Sequence, residues 1–97
     1  MIEISLCMIV KNEEKILARC LDSVADLVDE IVIVDTGSTD ATKKIAANYT
    51  DKIYDFTWVD DFSAARNFAF SKAEKDYIYT VDADEVIDEE NRKRFRE

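Results

Sequence analysis

The residues best suited to chemistry in this chain are aspartates that end apolar runs. One run, Ile31-Val32-Ile33-Val34, terminates in Asp35 and leads into Thr36-Gly37-Ser38-Thr39-Asp40. Another, Tyr77-Ile78-Tyr79-Thr80-Val81, terminates in Asp82-Ala83-Asp84-Glu85. Both runs are β-branched or aromatic, the composition of strands buried in a parallel sheet. Asp82 and Asp84 alternate, so on a strand end they point to one side. In open α/β sheets the carboxyl rim of the strands is where ligands bind. The chain has no histidine, so carboxylates gathered there suit an oxygen-ligated hard cation and a hydroxyl-rich or phosphate-bearing ligand.

The elements that must position these groups follow from periodicity. Ile4–Val10 reads as a first strand, ended by Lys11-Asn12-Glu13-Glu14. Ile16, Leu17, Cys20, Leu21 and Val24 recur at helical spacing and predict a helix over about residues 14–26. The second strand is Glu30–Asp35; Gly37 supplies a left-handed turn and Ser38 or Thr39 is placed to cap a helix over about 40–49. A short third strand covers 52–56, and a polar loop with Asp60 and Asp61 precedes a helix over about 63–73. The fourth strand is 77–81, and the charged tail 88–97 reads as a frayed helix start. The order βαβαβαβ requires a mainly parallel sheet with right-handed crossovers, a three-layer, Rossmann-like α/β fold. Winding 3-2-1-4 puts the topological switch between strands one and four. Asp35 and Asp82 then flank strand one at two strand spacings, roughly 10 Å, about the length of a nucleoside diphosphate.

Composition narrows the classes. A chain of 97 residues is one small domain, burying roughly 60–68% of its unfolded surface. Its 36% charged and 47% hydrophobic content marks a globular chain. A net charge of −9 argues against nucleic acid or an anionic membrane as partner. Cys7 on a strand and Cys20 on an apolar helix face read as buried free thiols, which fits a reducing compartment. The apolar stretch at residues 4–10 is too short to span a bilayer and lacks the flanks of a signal peptide. A cytoplasmic location is therefore expected.

Four motifs in order now carry a resemblance. They are Ser5-Leu6-Cys7-Met8-Ile9-Val10-Lys11-Asn12-Glu13-Glu14, Ile33-Val34-Asp35-Thr36-Gly37-Ser38-Thr39-Asp40-Ala41-Thr42, Ala65-Arg66-Asn67 and Asp82-Ala83-Asp84-Glu85. Together they resemble the N-terminal, nucleotide-sugar-binding half of a family 2 glycosyltransferase with the GT-A fold. The resemblance implies that Asp35 accepts a hydrogen bond from a pyrimidine N–H and that backbone groups around Met8, Val10 and Asn12 bracket the base. It implies that Arg66 reaches the diphosphate, that Asp82 binds the ribose, and that Asp84 holds Mn2+ or Mg2+ on the diphosphate. The donor is then a nucleoside-diphosphate sugar, in the first instance a UDP-sugar, and transfer inverts the anomeric carbon. The acceptor is unknown.

The family also needs a second half with the acceptor pocket, the general base and often a histidine ligand. No base can be named here, so the chain is expected to be a truncated donor-binding half over residues 1–97, inactive in transfer alone. The alternative is a noncatalytic nucleotide-sugar-binding or scaffold domain. A phosphorelay receiver would need an acidic pair after strand one, where Lys11-Asn12 stands. A haloacid-dehalogenase-type phosphatase carries its Asp-x-Asp on the first strand. Nucleotidyltransferases and dinucleotide-binding domains want a glycine-rich loop after strand one, and Gly37 is the single glycine. Arg66 has a second reading, a surface ion pair with Asp60 or Asp61 worth little. Glu13 and Glu14 read as helix-start residues favoured by the dipole. Tyr77, Tyr79, Phe68 and Phe70 read as packing, and Trp58, on a loop, is left open. Strand four as an open apolar edge predicts self-association, a homodimer paired through that edge.

Overall fold

The computed structural model describes residues 3–58, 60–81 and 83. Asp82, Asp84, Glu85 and the tail 88–97 lie outside the described residues. The elements are β1 (Ile4–Val10), α1 (Leu17–Val24) with a 3-10 turn at Ala25–Leu27, β2 (Glu30–Asp35), α2 (Thr42–Ala46), β3 (Ile53–Asp55), α3 (Phe62–Lys72) and β4 (Tyr77–Thr80). The four strands form one sheet in the order β3-β2-β1-β4, every pair parallel, as the alternation of strands and helices requires. This is the α/β, 3-2-1-4 architecture expected from the sequence.

The period of two along the central strands divides the core between the sheet's faces. Leu6, Met8 and Val10 of β1 and Ile31 and Ile33 of β2 join Leu17, Cys20, Leu21 and Val24 of α1 and Ala46 of α2. Cys7, Val32 and Val34 point the other way and meet Ala69 of α3, with Tyr54, Phe56 and Phe68 packed at the margin. Both cysteines are buried, and neither forms a disulfide among the described residues. Burial, helped by the nearby Glu30 charge, pushes the Cys7 thiol up to about 11, which leaves little reactive thiolate.

Four elements differ from expectation. The regular part of α1 begins at Leu17 because Glu13 to Ile16 form a turn, with Ile16 N–H and Leu17 N–H both donating to the Glu13 carbonyl. Its last turn tightens into the 3-10 segment. Helix α2 is shorter than 40–49, and neither Ser38 nor Thr39 caps it. Their groups are drawn to Asn12 instead, and the Asp40 carboxylate takes the Thr42 N–H at 2.9 Å. Phe62 opens α3 but is exposed, while Asp61 caps that helix through the Ser63 and Ala64 N–H groups. Strand β4 is an edge strand whose Tyr77 and Ile78 are exposed, so it is not buried like β1 and β2. Among the described residues no strand pairs with its outer side, and pairing of two copies there is an expectation from sequence.

Candidate functional site

Asp35 is the last residue of β2, with Val10 of β1 on one side and Asp55 of β3 on the other. It is only 2% exposed. Its Oδ1 accepts the Gly37 and Ser38 N–H groups at 2.9 and 2.7 Å, an arrangement that Gly37 permits with φ of +112°. Its Oδ2 is buried and has no hydrogen-bond partner among the described residues. An unmet buried carboxylate oxygen is costly unless a donor arrives to fill it. Asp35 also lines an open cleft of about 300 Å³ together with Thr36, Gly37, Asp55, Phe56, Thr57 and Trp58.

The rim around Asp35 is held by stitches between the loops after β1 and β2. Asn12, in the left-handed region at φ 52°, donates its N–H to the Ser38 hydroxyl at 2.9 Å and accepts the Thr39 N–H on its side chain at 2.8 Å. Buried Thr42 accepts the Glu13 N–H at 2.8 Å, and the Glu14 carboxylate accepts the Ala41 N–H at 3.1 Å. The Val10 carbonyl accepts both the N–H and the hydroxyl of Thr36, at 3.0 and 3.2 Å. These bonds fix two loops that share no sequence neighbourhood, so the Asp35 carboxylate is presented by a braced frame.

Beside the Asp35 cleft lies a second, of about 260 Å³, lined by Ile9, Val10, Lys11, Glu13, Thr36, Trp58 and Phe62. Beyond it a small cavity of about 70 Å³ is bounded by Cys7, Ile9, Phe62, Arg66, Ala69, Phe70, Thr80 and Val81. Trp58 is shared by the first two spaces and Phe62 by the second and third. The Arg66 guanidinium lies 5.0 Å above the Phe62 ring, and among the described residues it makes no ion pair with Asp60 or Asp61. Arg66 therefore stands at the far end of a row of concavities that begins at Asp35.

The structure thus brings Asp35, Val10 and Asn12 to one rim. Met8 sits deeper, inside the sheet opposite Ile33 and 1% exposed. Asp82 and Asp84 lie outside the described residues; their neighbours Val81 and Ala83 are buried in the α1 side of the core. No group of three or more potential metal-ligating side chains gathers among the described residues. Sequence reasoning missed the Asn12, Thr42 and Glu14 stitches, whose partners are 26 to 29 residues away. It also missed Asp55, which enters the cleft from the end of β3 and pairs with Lys43 at 2.8 Å, raising that lysine above its ordinary value.

A roomier groove of about 400 Å³ opens at the opposite end of the sheet, beside Glu30, Lys52 and Lys75. Its buried carboxylate is fully engaged. Glu30 accepts the Ser5 hydroxyl at 2.6 Å and the Glu74 N–H at 2.9 Å, and pairs with Lys52. Burial alone would raise its pKa, but these partners outweigh it and hold Glu30 down at about 2. Unmet hydrogen-bonding capacity, not volume, distinguishes the Asp35 end.

The family described as Glycosyl transferase family 2 matches residues 5–95. The chain belongs to that family. It is 52% identical over 87 residues to a TPR repeat-containing protein of Synechococcus elongatus, covering 90% of this chain and 22% of that protein. It is 40% identical over 90 residues to the SPbeta prophage-derived glycosyltransferase SunS of Bacillus subtilis, covering 91% and 21%. The chain therefore spans about a fifth of the length of these curated relatives. Among solved structures, S. aureus TarS superposes with a TM-score of 0.80 at 29% identity over 95% of this chain and 30% of TarS. The glucosyl-3-phosphoglycerate synthase of M. tuberculosis, solved with Mn2+ and UDP-glucose, shares the fold with a TM-score of 0.73 at 23% identity, over 86% of this chain and 33% of the synthase. In this family frame the 3-2-1-4 sheet is the N-terminal portion of the GT-A fold. No helix among the described residues is long and apolar enough to cross a membrane.

Proposed function

We propose that this chain is the donor-binding part of a family 2 glycosyltransferase, taking a UDP-sugar with a divalent cation for inverting glycosyl transfer. The observation that carries the reading is the buried Oδ2 of Asp35, unpartnered at the head of a cleft on the carboxyl rim. Uracil offers an imide N–H of the kind this acceptor lacks. TarS, similar to this chain, has been solved in complex with UDP-GlcNAc, which supports a UDP-sugar as the ligand class. Asn12 and Val10 frame the base by their backbone, Met8 supports them from within the sheet, and Arg66 offsets diphosphate charge. Asp82 holds the ribose and Asp84 the Mn2+ or Mg2+ that neutralises the diphosphate as it leaves. Transfer to an acceptor is assigned to the longer protein that relatives of this length imply, acting in the cytoplasm.

Calorimetric titration tests the reading with UDP, GDP and CDP, each with and without Mn2+. UDP binds best and more tightly with the metal. Asp84→Ala removes the metal dependence and leaves residual nucleoside binding, whereas Asp35→Ala weakens binding in both conditions. Absence of UDP binding at millimolar concentration, with or without Mn2+, refutes it.

A further inference from the structure

Trp58 is the single tryptophan of the chain, 40% exposed on the loop that joins β3 to α3. A large aromatic face left open to solvent on a polar loop is an unusual use of apolar area. Its polar edge is already satisfied, because the indole N–H donates to the Asp60 carboxylate at 3.1 Å. Asp60 adopts a left-handed backbone, φ 57°, to reach it, a conformation that costs energy in a residue with a Cβ. On the other side the Phe62 ring meets Trp58 edge-on, centroids 6.4 Å apart and planes inclined at 63°. The ring is thus held in place by an anchored edge and an aromatic buttress, and what remains available is its π-face.

Trp58 and Asp35, whose buried Oδ2 has no hydrogen-bond partner among the described residues, line the same cleft. The two groups ask for complementary features of one ligand: a flat π-system to lie on the indole and an in-plane N–H to reach the carboxylate. A nucleobase has both, and a sugar or a phosphate has neither. We infer that Trp58 is the stacking wall of the base subsite, with Asp35 reading the edge of the stacked base. This rests on the donor-binding reading above and adds to it the residue that sets base affinity and the direction of the ligand. The base lies at the β3 end, against Trp58, and the phosphates run past Phe62 toward the Arg66 cavity near Thr80 and Val81.

Because Trp58 is alone of its kind, its emission reports on this subsite directly. UDP and UMP are expected to quench it saturably, at the dissociation constant that calorimetry gives, while inorganic pyrophosphate leaves it unchanged. Base–aromatic stacking predicts that Trp58→Ala weakens UDP binding by about fivefold to a hundredfold, and that Trp58→Phe recovers most of the loss. Melting temperature, followed for each variant, should stay near wild type because the ring is solvent-facing. If UDP binds and Asp35→Asn weakens it, yet Trp58 emission is unmoved and Trp58→Ala keeps wild-type affinity, the stacking wall is refuted and the donor reading survives. Quenching by pyrophosphate as strong as by UDP reverses the direction assigned to the ligand and refutes the inference. A wild-type chain that fails to bind UDP by calorimetry at millimolar concentration refutes both readings.

Discussion

Strand β2 begins and ends in a buried carboxylate, and the fold treats the two in opposite ways. Glu30, at the amino end, is 6% exposed and surrounded by the Ser5 hydroxyl, the Lys52 ammonium and the Glu74 N–H. Asp35, at the carboxyl end, has one oxygen engaged by its own turn and the other buried without a partner. Both were taken out of water at a cost. At Glu30 that cost is offset inside the chain and the result is a structural clamp. At Asp35 the Gly37 and Ser38 N–H groups offset it at one oxygen only, and the other has no hydrogen-bond partner among the described residues, the feature on which the proposed donor site rests. Burial alone therefore does not separate the two carboxylates; their hydrogen-bond partners do.

The largest effect that would test this contrast is at the clamp. Glu30→Ala strands the Ser5 hydroxyl and the Glu74 N–H and should cost about 2–3 kcal/mol in urea unfolding. That is less than for a fully enclosed pair, since the Lys52 side chain is 36% exposed and solvent screens it. The pH dependence follows from the depressed pKa. Glu30 lies at 4.5 unfolded and about 2 folded, so its contribution is complete above pH 4.5 and is lost as pH falls toward 2. Acid titration of unfolding free energy should show this slope in wild type and lose it in Glu30→Gln. An Ala variant as stable as wild type would erase the difference between the two ends.

A smaller effect, opposite in kind, is expected at Asp35. Asp35→Asn keeps an oxygen for Gly37 and Ser38 but puts an amide donor where the free acceptor was. UDP affinity should fall by about 1.5–3 kcal/mol, the range for a hydrogen bond to a charged group, while unfolding free energy stays within about 1 kcal/mol of wild type or rises. Calorimetry beside urea unfolding reads both quantities. A large stability loss with unchanged affinity would make Asp35 another clamp. The smallest effect belongs to Lys43→Ala. The Lys43–Asp55 pair is exposed on both sides, 47% and 74%, so stability should shift by no more than about 0.5 kcal/mol. The freed Asp55 charge in the cleft should weaken UDP binding slightly, more at low salt than at high.

How much of this was legible beforehand depends on the range of the interaction. The sheet order and Asp35 were readable because apolar period and strand-end position are local patterns that the βαβ handedness converts into topology. The family motifs were readable for the same reason: each is a short contiguous string. Glu30 was not, since a glutamate preceding an apolar run looks like a solvated flank until Ser5 and Lys52 are known to converge on it. Ser38 and Thr39 looked like helix caps because capping is a local rule; Asn12, a whole crossover away, outcompeted it. Trp58 had no readable role because a loop aromatic gains meaning only from what shares its cleft. The places of Asp82 and Asp84 rest on sequence alone.

The Glu30 clamp also bears on the route by which the chain folds. Its partners come from sequence separations of 25, 22 and 44 residues. Ser5 comes from β1, Lys52 from just before β3, and the Glu74 N–H from the turn between α3 and β4. A half-built sheet thus carries an under-partnered charge, and partial assemblies are penalised relative to both the coil and the finished fold. An all-parallel sheet has no hairpin to grow from, so its strands must already close long loops before any pairing is rewarded. The shell around the Glu30 charge is therefore complete only when β1, β3 and the α3–β4 turn are all in place around β2.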